Sequence, residues 1–320
     1  KMWEVLSLGN FPTLTRMTYA FQGASTSLRV AAALPSTVRD LSYAFSSTTA
    51  NPDITGWDVS QVTTMTGMFQ NATAFNRNIS SWSTSAVTDM RWMFSGAAAF
   101  NQELSPWDVS NVTTMRSMFD GAISFNNSDA PQTGNLSNIS TASKPLLWTT
   151  SAVRDMSFMF RGAKSFNQNL NSWDVSKVTN FTRMFSGADT STTVTDGLNL
   201  NDATIYFNNG GPNDQSNGIP GSLPLWSTRS PGTGTGTAAI DMSFMFSGAI
   251  FFNQDINSWN TSYVTSMTQM FENAQGFNNG DRKYSSNNAG SHNMTWSTSR
   301  VTSFLGMFYN NYAFNQNVNS

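Results

Sequence analysis

One aromatic residue recurs along this chain at a nearly constant interval, and the interval decides what the chain can fold into. The phenylalanine of a Met-Phe (or Ala-Phe) pair stands at Phe21, Phe45, Phe69, Phe94, Phe119, Phe160, Phe185, Phe246, Phe271 and Phe308. Successive spacings are 24, 24, 25, 25, 41, 25, 61, 25 and 37, so three long gaps equal the 25-residue period plus 16, 36 and 12 residues. A tryptophan precedes the Phe by 12 positions in seven repeats, at Trp57, Trp82, Trp107, Trp148, Trp173, Trp259 and Trp296. Trp226 belongs to the same column with eight residues intervening. A period of this size is the mark of a stacked-repeat architecture in which each unit buries its apolar face against its neighbours.

Within a unit, Val62, Met65, Met68, Phe69 and Ala72 follow offsets of 0, 3, 6, 7 and 10, the rhythm of one helical face. Ser60 is then placed as an N-cap, with Ser85, Ser110, Ser151, Ser176, Ser262 and Ser299 in its column. Asn71, Gly96, Gly121, Gly162, Gly187, Gly248, Asn273 and Asn310 close the segment with residues that tolerate a left-handed backbone. The stretch before each Trp, such as Arg77 to Trp82, reads as a short strand. The expected fold is an α/β solenoid resembling leucine-rich repeats. It has about ten coils of 24–25 residues, with short parallel strands on one side and short helical segments on the other.

The whole of 1–320 forms one solenoid on this reading, with 1–50 as atypical N-terminal coils: Gly9 and Ala33 replace Trp, and Ala20 and Ala44 replace Met. Inserts fall near 127–143, 189–224, 230–237 and 279–293. The three large ones emerge from one edge, which is either a binding edge or tolerated decoration. The chain opens on Lys1 and stops at Ser320 inside a repeat, as a piece of a longer chain would.

Composition narrows the function. Charged residues make up 11% and the net charge is −2, with no basic run, which argues against a nucleic-acid partner. No apolar stretch has the length of a membrane span, and cysteine is absent. Catalytic chemistry has little to work with. His292 is the sole histidine, and Glu4, Glu103 and Glu272 fall in different repeats. Asp58, Asp108 and Asp174 follow Trp, but Ser83, Thr149, Ser227, Asn260 and Ser297 share the column, as expected of an oxygen that satisfies a turn amide rather than a metal ladder. The Asn column (Asn76, Asn101, Asn126, Asn167, Asn253, Asn278, Asn315) reads as coil-to-coil hydrogen bonding, and the Trp column as core. No catalytic residue, metal ligand or cofactor is expected. Of nine Asn-x-Ser/Thr sequons, Asn135, Asn138 and Asn293 lie in inserts and are the accessible glycosylation candidates.

One column does not fit a purely structural role. Two residues before the Phe stand Tyr19, Tyr43, Gly67, Trp92, Ser117, Phe158, Arg183, Phe244, Gln269 and Gly306, and at 100° per residue this position faces outward. Tyr19, Tyr43, Trp92, Phe158 and Phe244 are therefore a candidate interface, covered by another chain, a fibre neighbour or the inserts folding back.

The strings "FNQDINSWNTSYVTSMTQMFENAQGFNN" from Phe252, "FNRNISSWSTSAVTDMRWMFSGAAAFNQ" and "WDVSNVTTMRSMF" resemble the repeats of BspA-like leucine-rich-repeat surface proteins, of the mycoplasma-lipoprotein Trp-Asp-Val-Ser and Met-Phe type. The resemblance implies an exported, non-enzymatic protein displayed outside the cell and linked to adhesion. Two roles are open. One is a recognition scaffold meeting a protein or glycan at the insert edge. The other is a structural subunit that self-assembles, or joins other filament subunits, in an extracellular fibre or surface layer.

Overall fold

The computed structural model describes residues 11–129, 146–187, 239–279 and 294–316, apart from 169, 171, 251 and 258. Among these residues the repeats lie side by side, each parallel to the next. Single bridges join Arg16, Asp40, Thr64, Asp89, Thr114, Asp155, Asn180 and Asp241 in sequence, and Ser266 pairs with Ser303. Near Asp241 the pairing widens into β1 (Ile240–Asp241) and β2 (Val264–Ser266), a parallel pair with an irregular register. Thr114 bridges Asp155 and Asn180 bridges Asp241, so two of the long inserts leave the stacking register intact.

The helical segments expected over stretches such as Ser60 to Ala72 do not form. There is no helix among the described residues, and each such stretch is a run of turns. Its N–H groups alternate between two uses. Met65, Gly67, Phe69 and Asn71 donate to the carbonyls of Asp89, Arg91, Met93 and Ser95 in the next repeat, at 3.1, 2.7, 2.8 and 2.6 Å. Met68, Gln70 and Ala72 donate back three residues, to Met65, Gly67 and Phe69. Gly67 and Asn71 supply the positive φ (57° and 56°) that a type II turn requires at its third position. A helix would consume every N–H internally and leave nothing to tie one repeat to the next. The turns reproduce the apolar rhythm because an i→i+3 closure also brings every third side chain inward.

Two further expectations are corrected. The stretch Arg77 to Trp82 forms no strand, and pairing falls instead five residues before the repeating Phe. Ser60 caps no helix. Its N–H donates to Asp58 Oδ1 at 2.9 Å, as those of Ser110, Ser176 and Ser262 do to Asp108, Asp174 and Asn260. The interchange of Asp and Asn after Trp thus has a turn as its cause.

The interior is made of continuous aromatic files. Phe69, Phe94, Phe119 and Phe160 stack from repeat to repeat at 5.4–5.5 Å between ring centres. Inside each repeat a second ring lies flat on the first: Phe75 on Phe69 and Phe125 on Phe119, both at 3.9 Å. Trp57, Trp82, Trp107, Trp148, Trp173, Trp259 and Trp296 are buried beside them, and Trp226 lies outside the described residues. The indole N–H of Trp57, Trp107, Trp148, Trp173 and Trp296 donates to a carbonyl of the preceding repeat at 2.8–3.1 Å, which removes the penalty of burying a polar atom.

A second ladder runs through asparagines. Asn51 Oδ1 accepts the N–H of Asn76, Asn76 that of Asn101, Asn101 that of Asn126, and Asn126 that of Asn167, at 2.8–3.1 Å. Asn253, Asn278 and Asn315 continue it. The first residues of two inserts are anchored alike: Asn127 Oδ1 accepts the N–H of Leu104, and Asn279 Oδ1 that of Ile256. Inserts 189–224 and 230–237 lie outside the described residues.

Candidate functional site: an outer ridge of rings and guanidinium groups

The column two before the Phe is built on a left-handed backbone throughout. Tyr19, Tyr43, Gly67, Trp92, Ser117, Phe158, Arg183, Phe244, Gln269 and Gly306 all have φ between 51° and 60°. For bulky side chains this conformation is rare and costs energy. Each is the third residue of a turn closed by an N–H one position later, such as Met93 to Met90 and Met159 to Met156. The turn directs the side chain away from the interior onto the flank of the stack. Tyr19 is 50% exposed, and Tyr43, Trp92, Phe158 and Phe244 are half-buried.

Their partial burial comes from the ridge itself. Tyr19 stacks on Tyr43 at 5.0 Å. The Tyr43 ring fills the space over Gly67, where a Cβ would collide with it. Gln269 lies over Gly306 in the same way, 3.1 Å from where a Cβ would stand. Tyr43 and Gln269 thus each lean on a glycine of the next repeat.

Sequence reasoning missed the arginines that frame these rings. Arg91 lies 5.6 Å from the centre of Trp92, Arg116 and Arg161 lie 5.4 and 5.0 Å from Phe158, and Arg183 lies 4.3 Å from Phe244. These are cation–π distances. The signal was present, since Arg91 adjoins Trp92 and Arg183 shares the column. It becomes readable only once the outer columns are known to be neighbours.

Carboxylates hold two of these cations. Arg91 contacts both oxygens of Asp89, with Nη2 to Oδ2 at 2.6 Å, and this hydrogen bond pushes the guanidinium pKa up. Arg161 reaches back to Asp120 with two parallel bonds of 2.8 Å. Burial raises the Asp120 pKa, opposed by its bonds to Arg161. Burial, then the neighbouring Tyr19, raises the Tyr43 phenol.

The ridge therefore offers ring faces, guanidinium donors and two carboxylate acceptors. That is equipment for stacking and hydrogen bonding. Among the described residues no group of three or more His, Asp or Glu comes together. His292 and Glu4 lie outside the described residues, as do the glycosylation candidates Asn135, Asn138 and Asn293. No helix of the described residues is long and apolar enough to cross a membrane.

No curated protein and no solved structure matches the chain. A family model matches residues 39–147, 141–208, 235–295 and 291–320, most of the length and most of the repeats. The chain belongs to the family described as Mycoplasma protein of unknown function, DUF285.

Proposed function

We propose that this chain is a non-catalytic scaffold of the BspA-like, leucine-rich-repeat-related kind, a solenoid displayed outside the cell that recognises a protein or glycan along its outer ridge. One observation carries the reading. Five large aromatic side chains sit at left-handed backbone positions where Gly67, Ser117, Gln269 and Gly306 serve the same turn. The fold does not need rings there, and a ring pays a conformational penalty that glycine avoids. Rings flanked by guanidinium groups suit the faces of sugars or the aromatic and acidic side chains of a protein. Low net charge makes recognition depend on these contacts rather than on long-range attraction.

The test is a triple variant, Trp92→Ser, Phe158→Ser and Phe244→Ser, compared with wild type on immobilised glycans and extracellular-matrix proteins. Ser47 and Ser117 already hold positive φ in this chain, so serine suits the backbone. Binding should fall at least tenfold while the melting temperature stays within a few degrees. Equal binding by both proteins, or no binding by wild type, would sink the proposal. Antibody labelling of intact cells tests the location.

A further inference from the structure

Five consecutive repeats in the middle of the stack carry rings and guanidinium groups in strict alternation. Trp92, Phe158 and Phe244 stand on alternate repeats, and the repeats between them carry Arg116 and Arg183. The bridges from Asp89 through Thr114, Asp155 and Asn180 to Asp241 set these five repeats side by side. The Trp92 N–H donates to the Arg116 carbonyl, and the Arg183 N–H to the Ser243 carbonyl, both at 3.0 Å. The order ring, guanidinium, ring, guanidinium, ring therefore follows the stack in space. Gly67 precedes the run in the ridge column and Gln269 follows it.

Each guanidinium of the run leans on the ring of the next repeat, Arg116 at 5.4 Å from Phe158 and Arg183 at 4.3 Å from Phe244. Arg91 and Arg161 on the same flank are held by the carboxylates of Asp89 and Asp120. Arg116 is not. Its guanidinium has no hydrogen bond or ion pair among the described residues, and its Nε is buried without a partner. The hydroxyl of Ser157, at the same position in the next repeat, is also buried and unpartnered. The nearby Asp155 carboxylate is turned instead to the Ser157 N–H, at 2.8 Å. A buried donor left without an acceptor is a cost that brings the fold no return.

The spacing of the run is as regular as its chemistry. Phe94, Phe119, Phe160, Phe185 and Phe246 stack beneath it at 5.5, 5.5, 5.7 and 5.5 Å between ring centres. Trp92, Phe158 and Phe244 are thus two repeats apart each time, about 10 Å at the spacing of parallel strands. A globular partner has no cause to match a uniform period of two chemistries. A linear polymer with a two-unit repeat does.

We propose that this run binds a linear polysaccharide of alternately neutral and acidic sugars, laid along the stack with one sugar to each repeat. The inference rests on the reading of the ridge as a recognition surface and names what that surface takes. The half-buried rings of Trp92, Phe158 and Phe244 supply apolar surface on which the C–H face of a neutral sugar packs. Arg116 and Arg183 meet the carboxylates of the acidic sugars between them, since a planar guanidinium pairs with a carboxylate through two parallel N–H bonds. Bound in this way, the ligand supplies the acceptor that Arg116 lacks. The run is five repeats long, so affinity grows with the length of the glycan until the run is covered and then levels off.

Calorimetric titration of the 320-residue protein tests it, with oligosaccharides of hyaluronan and unsulfated chondroitin, both alternating glucuronate with an N-acetylhexosamine, and with the neutral chitin hexasaccharide. A uronate hexasaccharide should bind about tenfold or more tightly than the chitin hexasaccharide, the worth of a charge-assisted bond. The tetrasaccharide should bind more weakly, and the decasaccharide little better than the hexasaccharide. Arg116→Gln and Arg183→Gln should each lose about tenfold for the uronate chains and nothing for chitin. Arg116 leaves no protein partner behind, and Gln269 already holds the ridge conformation that Arg183→Gln requires, so both variants keep their melting temperature. Arg154→Gln, an exposed arginine of the Phe158 repeat that lies off the ridge, should change nothing. Absence of binding to both uronate series, chitin binding of equal strength, or full affinity in the Arg116 variant would overturn the inference. If the aromatic triple variant nevertheless loses a neutral glycan or a protein ligand, recognition by the ridge stands and only the acidic polysaccharide falls. If that variant binds the uronate chains as well as wild type does, both fall together.

Discussion

Two files of side chains, one wholly and one partly aromatic, run through the stacked repeats and obey different rules. The inner one admits only phenylalanine, from Phe21 to Phe308, and Phe45 to Phe271 are completely buried. Each ring there is closed in by the ring before, the ring after and usually a second Phe of its own repeat, so any smaller side chain leaves a void. The outer file, two positions away, takes Tyr, Gly, Trp, Ser, Phe, Arg and Gln on one backbone conformation. The turn there fixes φ and is indifferent to what it carries. Identity enforced by packing speaks of the fold, whereas a bulky residue that packing does not demand, in a conformation that disfavours it, speaks of something outside the fold.

The sharpest break between the files is predicted for Phe119→Ala against Trp92→Gly. The first removes a fully buried ring from the centre of the stack and should cost about 3–5 kcal/mol in denaturant unfolding. The second gives up a half-buried ring but relieves a left-handed backbone at φ 56°, and should stay within about 1 kcal/mol of wild type. Similar losses in the two variants would mean that the outer rings are core after all.

A smaller effect sharpens the comparison within a turn. Gly96 and Gly121 share φ 69°, so a side chain strains both equally. They differ in their surroundings. A Cβ on Gly96 would collide with the Asn71 side chain of the preceding repeat, while one on Gly121 meets nothing nearer than 3.8 Å. Gly96→Val should therefore destabilise by about 1–3 kcal/mol, and Gly121→Val by clearly less. Thermal melting of the pair distinguishes backbone strain, which is common to both, from contact between repeats, which belongs to one.

Much of this was legible in the sequence because identical units must meet identical neighbours. The Trp file, the Asn ladder and the oxygen that follows Trp each show as a column whose residue types share one physical property. The turns were misread as helices because Val62, Met65, Met68 and Ala72 are spaced by three or four under either description. Hydrogen-bond direction, which separates the two, leaves no trace in side-chain identity. The outward placement of Trp92 and Phe158 was reached through helical geometry, yet its cause is the positive φ of a turn. Two arginines of the ridge escaped notice because their rings belong to the next repeat, Arg116 with Phe158 and Arg183 with Phe244.

The gentlest perturbation concerns the turn after the tryptophan, where charge and hydrogen bonding can be separated. Asp58 accepts the N–H of Ser60 at 2.9 Å, and this bond, with a second from the Ser60 side chain, lowers its pKa below the ordinary carboxylate value. Asp108 is lowered in the same way by Ser110. A carboxyl whose pKa is lower in the folded state contributes stability that is present above about pH 4 and is lost as pH falls through the folded value. Asp120 has the opposite sign. Burial raises its pKa, so the folded chain binds that proton more readily, and acidification favours folding through it. Asp58→Asn keeps an oxygen in place, as Asn260 does for Ser262 at 3.1 Å, but removes the titration. At neutral pH the variant should melt with wild type, and below pH 4 it should lose less stability than wild type does. Asp58→Ala, which lacks the acceptor, should lose about 0.5–1 kcal/mol at neutral pH. An Asn variant as weak as the Ala variant at pH 7 would show that the column needs its charge, and the turn explanation for Asp, Asn, Ser and Thr sharing one position would fall.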